Sequence, residues 1–255
     1  MQQFAHRLRP GEARTSLGAI ALPLLYHELS AVLAYFAVPL ETIARSLPDP
    51  RLRAVTTSDG MAVVGVCFFD YRRCALHPYR EAGILVPVGI EGEGSTDLPA
   101  DAAPLHYVHR LPVTTPEALA IGREIWGFPK YLADIALTEN REAVTGSISE
   151  AGAYDLAFSA RVGRRTPRQR VRLRPVLRAD GLNIAYVAIE AETTTLLANA
   201  GLSFTPKEGF DDPLIEALSS GTFLRGVLLS KAEASLSGIV DAYPPDPITP
   251  CPDTL

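Results

Sequence analysis

Residues 122–132 read GREIWGFPKYL and set Lys130 among Ile125, Trp126, Phe128, Pro129, Tyr131 and Leu132. Lysine is scarce in this chain. Lys130, Lys207 and Lys231 are its three lysines, and the other 21 of the 24 basic residues are arginines. Arginine keeps its proton at any pH of interest, whereas a buried lysine can lose it. A neutral amine attacks ketones and aldehydes to form an imine, which then serves as an electron sink. An unperturbed lysine, with a pKa of about 10.4, offers little free amine near neutrality. Burial of an amine among apolar side chains disfavours its charged form. The segment therefore carries a candidate nucleophile. The alternative is a lysine that snorkels from a strand edge with its ammonium in water. The catalytic reading requires a dry nitrogen that no carboxylate locks as an ammonium.

Other constellations carry less. His106 and His109 stand three apart, which on a strand sends them to opposite faces and makes a poor metal pair. His27 and His77 have no evident partners, and no metal is expected. RVGRRTPRQRVRLRPVLR, residues 161–178, holds eight arginines. Arg170, Arg172 and Arg174 alternate with Val171 and Leu173 on one strand face, to be read as a solvated or subunit-facing strand rather than a nucleic-acid stripe. Cys67, Cys74 and Cys251 form no C-x-x-C pair, which suits a reducing, cytoplasmic setting. No glycine-rich phosphate loop and no G-x-S-x-G nucleophile motif is present.

The elements that must position Lys130 follow from pattern. TTPEALAIGREIW predicts a helix with Thr115 as cap, Pro116 in the first turn and Glu117 at the positive end of the dipole. Gly127 and Pro129 then end it, leaving Lys130 just beyond. VPLETIARSLPDP, with Leu40, Ile43 and Leu47 at helical spacing, and DDPLIEALSSG predict two further short helices. The remainder reads as apolar or alternating runs broken by turn residues, among them MAVVGVCFFDY, GILVPVGI, PLHYVHRLPV, KYLADIALTE, YDLAFSARVG, RVRLRPVLRADG and LNIAYVAIEAETTT. RADGLN carries an Asp-Gly hairpin signal. The fold class expected is α+β: a mostly antiparallel sheet, apolar on both faces, curled into a barrel or cone-like body around a central cavity, with a few short helices. No linker or composition shift divides residues 1–255, so one domain is expected. The apolar run Leu17–Tyr26 is well short of the roughly 20 residues of a membrane span and reads as core. A net charge of −5 argues against a general nucleic-acid binder.

AIGREIWGFPKYLADI resembles the active-site segment of the acetoacetate decarboxylase family. ARSLPDPRL, YREAGILVPV, VRLRPVLRADG and LLSKAEASL resemble other family segments in the same order, so the likeness spans essentially the whole chain. The resemblance implies that Lys130 is the Schiff-base lysine, a residue known in that family as an amine activated by desolvation or a neighbouring cation. It implies that Glu81 is the active-site glutamate, handling protons or orienting the imine. Arg123 and Glu124 match a G-R-E pair that either braces the helix or lines the pocket; Trp126, Phe128, Tyr131 and Tyr243 are further pocket candidates. Tyr131 stands where the family has a second lysine, and two polar pocket positions align with Ala37 and Val64. The implied activity is decarboxylation of a small keto acid without a cofactor, in a homo-oligomer. Aldol condensation and dehydration of 2-oxo acids through the same lysine, or ligand binding without catalysis, are the alternatives.

Overall fold

The computed structural model describes residues 10–91, 105–179 and 181–243. Its centre is a ring of seven strands. Four come from the first half of the chain: β3 (Leu24–Val38), β5 (Ala62–Cys74), β6 (Tyr79–Ile90) and β7 (Leu105–Val113). Three come from the second: β11 (Tyr154–Ala179), β13 (Val187–Leu196) and β15 (Thr222–Leu236). Hydrogen bonding runs β11–β13–β15–β3–β5–β6–β7, and β7 returns to β11 through Leu105↔Arg174, His106↔Pro175 and Tyr107↔Val176. That closing junction is parallel and the other six are antiparallel. Parity requires this: an odd number of strands cannot close with every neighbour antiparallel. Closure leaves the ring without free edges.

Alternation along the ring strands explains their double-faced apolar sequence. In β3, Val32, Ala34, Phe36 and Val38 belong to one buried cluster, while Leu29, Ala31 and Leu33 belong to another. β5 divides likewise, with Val64, Val66 and Phe68 on the first side and Cys67, Phe69 and Tyr71 on the second. The second cluster fills the inside of the ring. The first is covered by a smaller sheet of β9 (Asp134–Glu139), β10 (Ala143–Glu150), the opening half of β11 and β14 (Gly201–Pro206). A β-bulge register shift near Glu28 puts Tyr26 and Leu24 among the inner cluster, although they are even-numbered.

The short helices form where the sequence places them. α1 is Leu40–Ala44, α2 is Pro116–Trp126 and α3 is Pro213–Ser219. The Thr115 hydroxyl accepts from the Ala118 amide, and Gly127 at φ 72° closes α2 in the left-handed region that favours glycine. Asp212 caps α3 by accepting from the Ile215 amide.

Three strand expectations change. KYLADIALTE divides at Ala133 into β8 (Lys130–Leu132), parallel to β7, and β9 in the other sheet. YDLAFSARVG and RVRLRPVLRADG fuse into the single strand β11, which serves both sheets in turn. LNIAYVAIEAETTT breaks after Ile184, giving β12 (Gly181–Ile184) and β13. The Asp-Gly hairpin joins β11 to β12, with Ala179 opposite Gly181; Asp180 itself lies outside the described residues. The apolar run Leu17–Tyr26 becomes β2 (Gly18–Leu22), paired with β1 (Gly11–Thr15), and the opening of β3; Leu24 and Tyr26 enter the core, but Leu17 and Leu25 are exposed. β4 (Leu52–Ala54) pairs with β6.

Candidate active site

The left-handed turn at Gly127 sends the chain back along its own helix, and β8 then lays Lys130 opposite Leu111 of β7. Two residues of α2 fix it there. Arg123 donates from Nε to the Lys130 carbonyl at 2.8 Å, with a second bond from its Nη2. Gly122 leaves room for the lysine side chain: a Cβ at this position would fall 2.4 Å from Lys130 Cδ and 2.5 Å from Cε. Lys130 is 5% exposed, and its Nζ donates to Glu81 Oε2 at 2.7 Å. The rings of Tyr79 and Phe128 each lie 5.7 Å from that nitrogen. The nitrogen is therefore dry, as the catalytic reading requires, but it also has a carboxylate as partner.

Glu81 reaches the same space from β6, and Tyr79, two residues earlier, shares its face. Behind the carboxylate lie three phenols in tilted ring contact. The Tyr71 hydroxyl donates to Glu81 Oε1 at 3.5 Å, the Tyr71 ring lies 4.4 Å from Tyr26 and 4.7 Å from Tyr79, and the Tyr26 and Tyr79 hydroxyls are 3.4 Å apart. Burial pushes all three phenols well above the ordinary tyrosine range, and the Glu81 charge adds to it. They stay neutral and can donate hydrogen bonds. The Cys67 thiol on the same wall is pushed up by burial and then by Glu81, so it is a poor nucleophile.

The pair sits in the wall of a cavity of about 80 Å³ inside the ring. At roughly 10–15 Å³ for each water-sized group, that is room for a small organic molecule. Trp126, held by a 2.8 Å bond from its indole nitrogen to the Ser237 carbonyl, and Phe128 belong to the lining. Among the described lining residues the charged groups are Lys130 and Glu81, with His106 the remaining titratable nitrogen base. His106 Nε2 lies 3.0 Å from the Tyr35 hydroxyl. Burial pushes that phenol up to about 12.

Four of the sequence candidates, Lys130, Glu81, Trp126 and Phe128, come together here. The others do not. Arg123 braces the Lys130 backbone from outside the cavity, and Glu124 is exposed and binds the Ser16 amide and hydroxyl, each at 2.6 Å. They are neither pocket residues nor paired with each other. Tyr131 follows Lys130 on a strand and so points to the opposite face. Its hydroxyl is 2.8 Å from that of Tyr154, beside Arg110. Tyr243 pairs with Leu182 in β16 (Asp241–Tyr243), and its side chain lies outside those described. Val64 belongs to the outer cluster and Ala37 pairs with Thr222 away from the lining, so their apolar character removes nothing from this cavity.

Gly122, Tyr26, Tyr71, Tyr79 and His106 were not singled out as site residues from the sequence. Tyr79 had a usable signal, standing two positions from Glu81 in an extended run. His109 lies on the other face of β7 from His106, 2.9 Å from Asp212. No cluster of three or more metal-ligating side chains occurs among the described residues. In the arginine run, Arg165 pairs with Glu192, Arg168 with Glu190 and Glu233, and Arg170 with Glu190, so part of its charge is met within the sheet. No helix among the described residues is long and apolar enough to cross a membrane.

A closed strand ring around a buried lysine–carboxylate pair defines the class of protein to which this chain is to be compared. Residues 12–194 match the sequence profile of the acetoacetate decarboxylase (ADC) family, and the chain belongs to that family. No curated protein matches it. Among solved structures, the enduracididine biosynthesis enzyme MppR complexed with pyruvate is 16% identical, with TM-score 0.59, over 87% of this chain and 91% of that one. Acetoacetate decarboxylase from Legionella pneumophila is 16% identical, with TM-score 0.57, over 86% and 87% of the two chains. An acetoacetate decarboxylase-like enzyme from Sphingomonas wittichii is 14% identical, with TM-score 0.55, over 87% and 93%. At these identities the likeness is one of fold.

Proposed function

We propose that this chain is an imine-forming lyase that uses Lys130 to decarboxylate a small keto acid. The observation that carries the reading is the buried contact between Lys130 Nζ and Glu81 Oε2 in the wall of an apolar cavity. Moving one proton from Nζ to the carboxylate turns an ion pair into a free amine and a carboxylic acid without changing the net charge. The amine attacks the ketone carbon, and Glu81 returns the proton to the oxygen as it leaves as water. A protonated imine remains, with Glu81 again anionic. The C–C bond to the substrate carboxylate then breaks, its electron pair flows to the imine nitrogen, and carbon dioxide leaves an enamine. Protonation at carbon with one proton taken from solvent, followed by hydrolysis, releases the ketone and restores Lys130.

Decarboxylation is favoured over aldol chemistry by the charge of the walls. Aldol chemistry on a 2-oxo acid keeps the carboxylate, and a site that keeps a carboxylate needs a cation for it. Lys130 is the one lysine among the described lining residues, which include no arginine, and the charge of its protonated imine is matched by Glu81 and by the reacting centre. An apolar surround also disfavours the carboxylate relative to neutral carbon dioxide. Pyruvate, the molecule bound by MppR, is the natural probe of the competing route. Borohydride trapping with a panel of pyruvate, acetoacetate and simple ketones, read by intact mass, tests the imine. A single adduct in the wild type that is lost in Lys130→Ala is expected. An adduct absent from the wild type, or persisting in the variant, overturns the reading. Carbon dioxide release from the acids then separates the two chemistries.

A further inference from the structure

The cavity extends well beyond the reacting pair. Lys130 stands opposite Leu111 on β7, and the same strand brings His106 into the wall five residues away. At about 3.3 Å per residue these positions lie roughly 16 Å apart along the strand. Glu81 pairs with Val113 at the lysine end, and Leu85 pairs with Val108 part-way along. Beyond β7 in the ring, its hydrogen-bonded neighbour β11 and then β13 contribute Leu173 and Ile189 to the same wall. These four aliphatic side chains are all buried, with exposures from 1 to 8%. No charged side chain from the described residues interrupts the lining between the lysine–glutamate pair and His106. A volume of about 80 Å³ with a lining that long makes a narrow slot rather than a round chamber.

We infer that the substrate carries a linear aliphatic tail lying along this slot; the inference rests on the imine-forming reading above. The carbonyl carbon is at Lys130, the methylenes run along the wall made by Leu85, Val108, Leu173 and Ile189 on four successive strands, and the chain end points toward His106. The substrate class is a 3-oxo acid longer than acetoacetate, and its product is the corresponding methyl ketone. Each methylene moved from water into such a wall strengthens binding by about threefold to fourfold.

The methyl ketones test this directly, because the product forms the same imine in reverse. Acetone, 2-pentanone, 2-heptanone, 2-nonanone and 2-undecanone are titrated against the full chain with borohydride, which adds hydride to the imine carbon and fixes the adduct as a secondary amine. Peptide mapping confines the readout to Lys130. The half-saturating concentration should fall about threefold to fourfold per added methylene until the slot is full, then rise. Val108→Phe should lower the ratio of 2-nonanone to acetone adduct at least tenfold, and Leu85→Ala should move the optimum to longer tails. A response flat along the series, or strongest with acetone, overturns the tail and leaves the imine chemistry standing. Failure of every ketone to label Lys130 defeats the underlying reading instead. Should Val108→Phe not fold, the wild-type series and Leu85→Ala keep the test decisive.

Discussion

Lys130 and Glu81 pose the sharpest question, because the same 2.7 Å contact can serve catalysis or forbid it. If the carboxylate takes the proton and later returns it, Glu81→Gln removes an acid–base group worth about 10²–10⁴-fold in rate. Borohydride trapping should then slow by that order. If the carboxylate only holds an inert ammonium, the same substitution should speed trapping, and the sign of the change decides between the two. The measurement needs a stability control. Stripping one partner from a buried ion pair costs about 3–5 kcal/mol, and glutamine restores only part of that by hydrogen bonding. Lys130→Arg supplies the complementary test. It keeps a cation beside Glu81 but no nucleophile, so the adduct should vanish while thermal unfolding changes little. The phenols behind the pair are held neutral by burial and by Glu81, which suits them to orient the carboxylate rather than act as bases.

At the scale of the element, α2 and β8 place the nucleophile through a close approach that only a missing side chain permits. Gly122→Ala should improve the helix by up to about 1 kcal/mol, yet its new Cβ would lie 2.4 Å from Lys130 Cδ and push the lysine aside. Displacing a buried, ion-paired lysine outweighs that gain, so unfolding should occur at a lower temperature while trapping falls at least tenfold. Equal trapping in both proteins would mean that the glycine is incidental. The same segment marks how far the sequence could be read. Its cap, its proline and its terminating glycine are local signals, and the helix appears where they put it. Glu81 and Lys130 were paired by family likeness, since nothing local announces a contact between residues 49 apart. Tyr131 is legible against the family likeness: KYLADIALTE reads as a strand from Lys130, and period-two alternation turns its second residue to the opposite face. Gly122 and His106 were invisible because their roles depend on which side chain another element brings beside them. The splits at Ala133 and after Ile184 could not be seen either, as both halves of each run have the same apolar character.

For the whole molecule, the ring must bury an inner face around the cavity and an outer face under the second sheet, and α3 is tied to the outer side. Asp212 makes that tie, accepting from Arg110 Nε at 2.8 Å while His109 Nε2 stands 2.9 Å away, both on β7, and capping α3 at the Ile215 amide. Burial alone would raise this carboxyl, but the bonds and charges of His109 and Arg110 outweigh it and hold it at about 2 against an ordinary 3.8. A depressed carboxylate contributes stability that is present above the unfolded value and lost as pH falls through the folded one. The difference corresponds to roughly 2 kcal/mol. Asp212→Asn keeps the helix cap and removes the charge. Near neutrality it should lower the unfolding free energy by about that amount, which for a chain of this size is a few degrees in Tm. In urea titrations from pH 7 downward, the gap between wild type and variant should hold to about pH 4, narrow from there and close near pH 2. A gap that persists at pH 2 would show that shape rather than charge makes Asp212 matter. Because Arg110 and His109 share the strand that carries Leu111 opposite Lys130, loss of the tie should also loosen the cavity wall, and trapping measured at the same pH values should decline in parallel with stability.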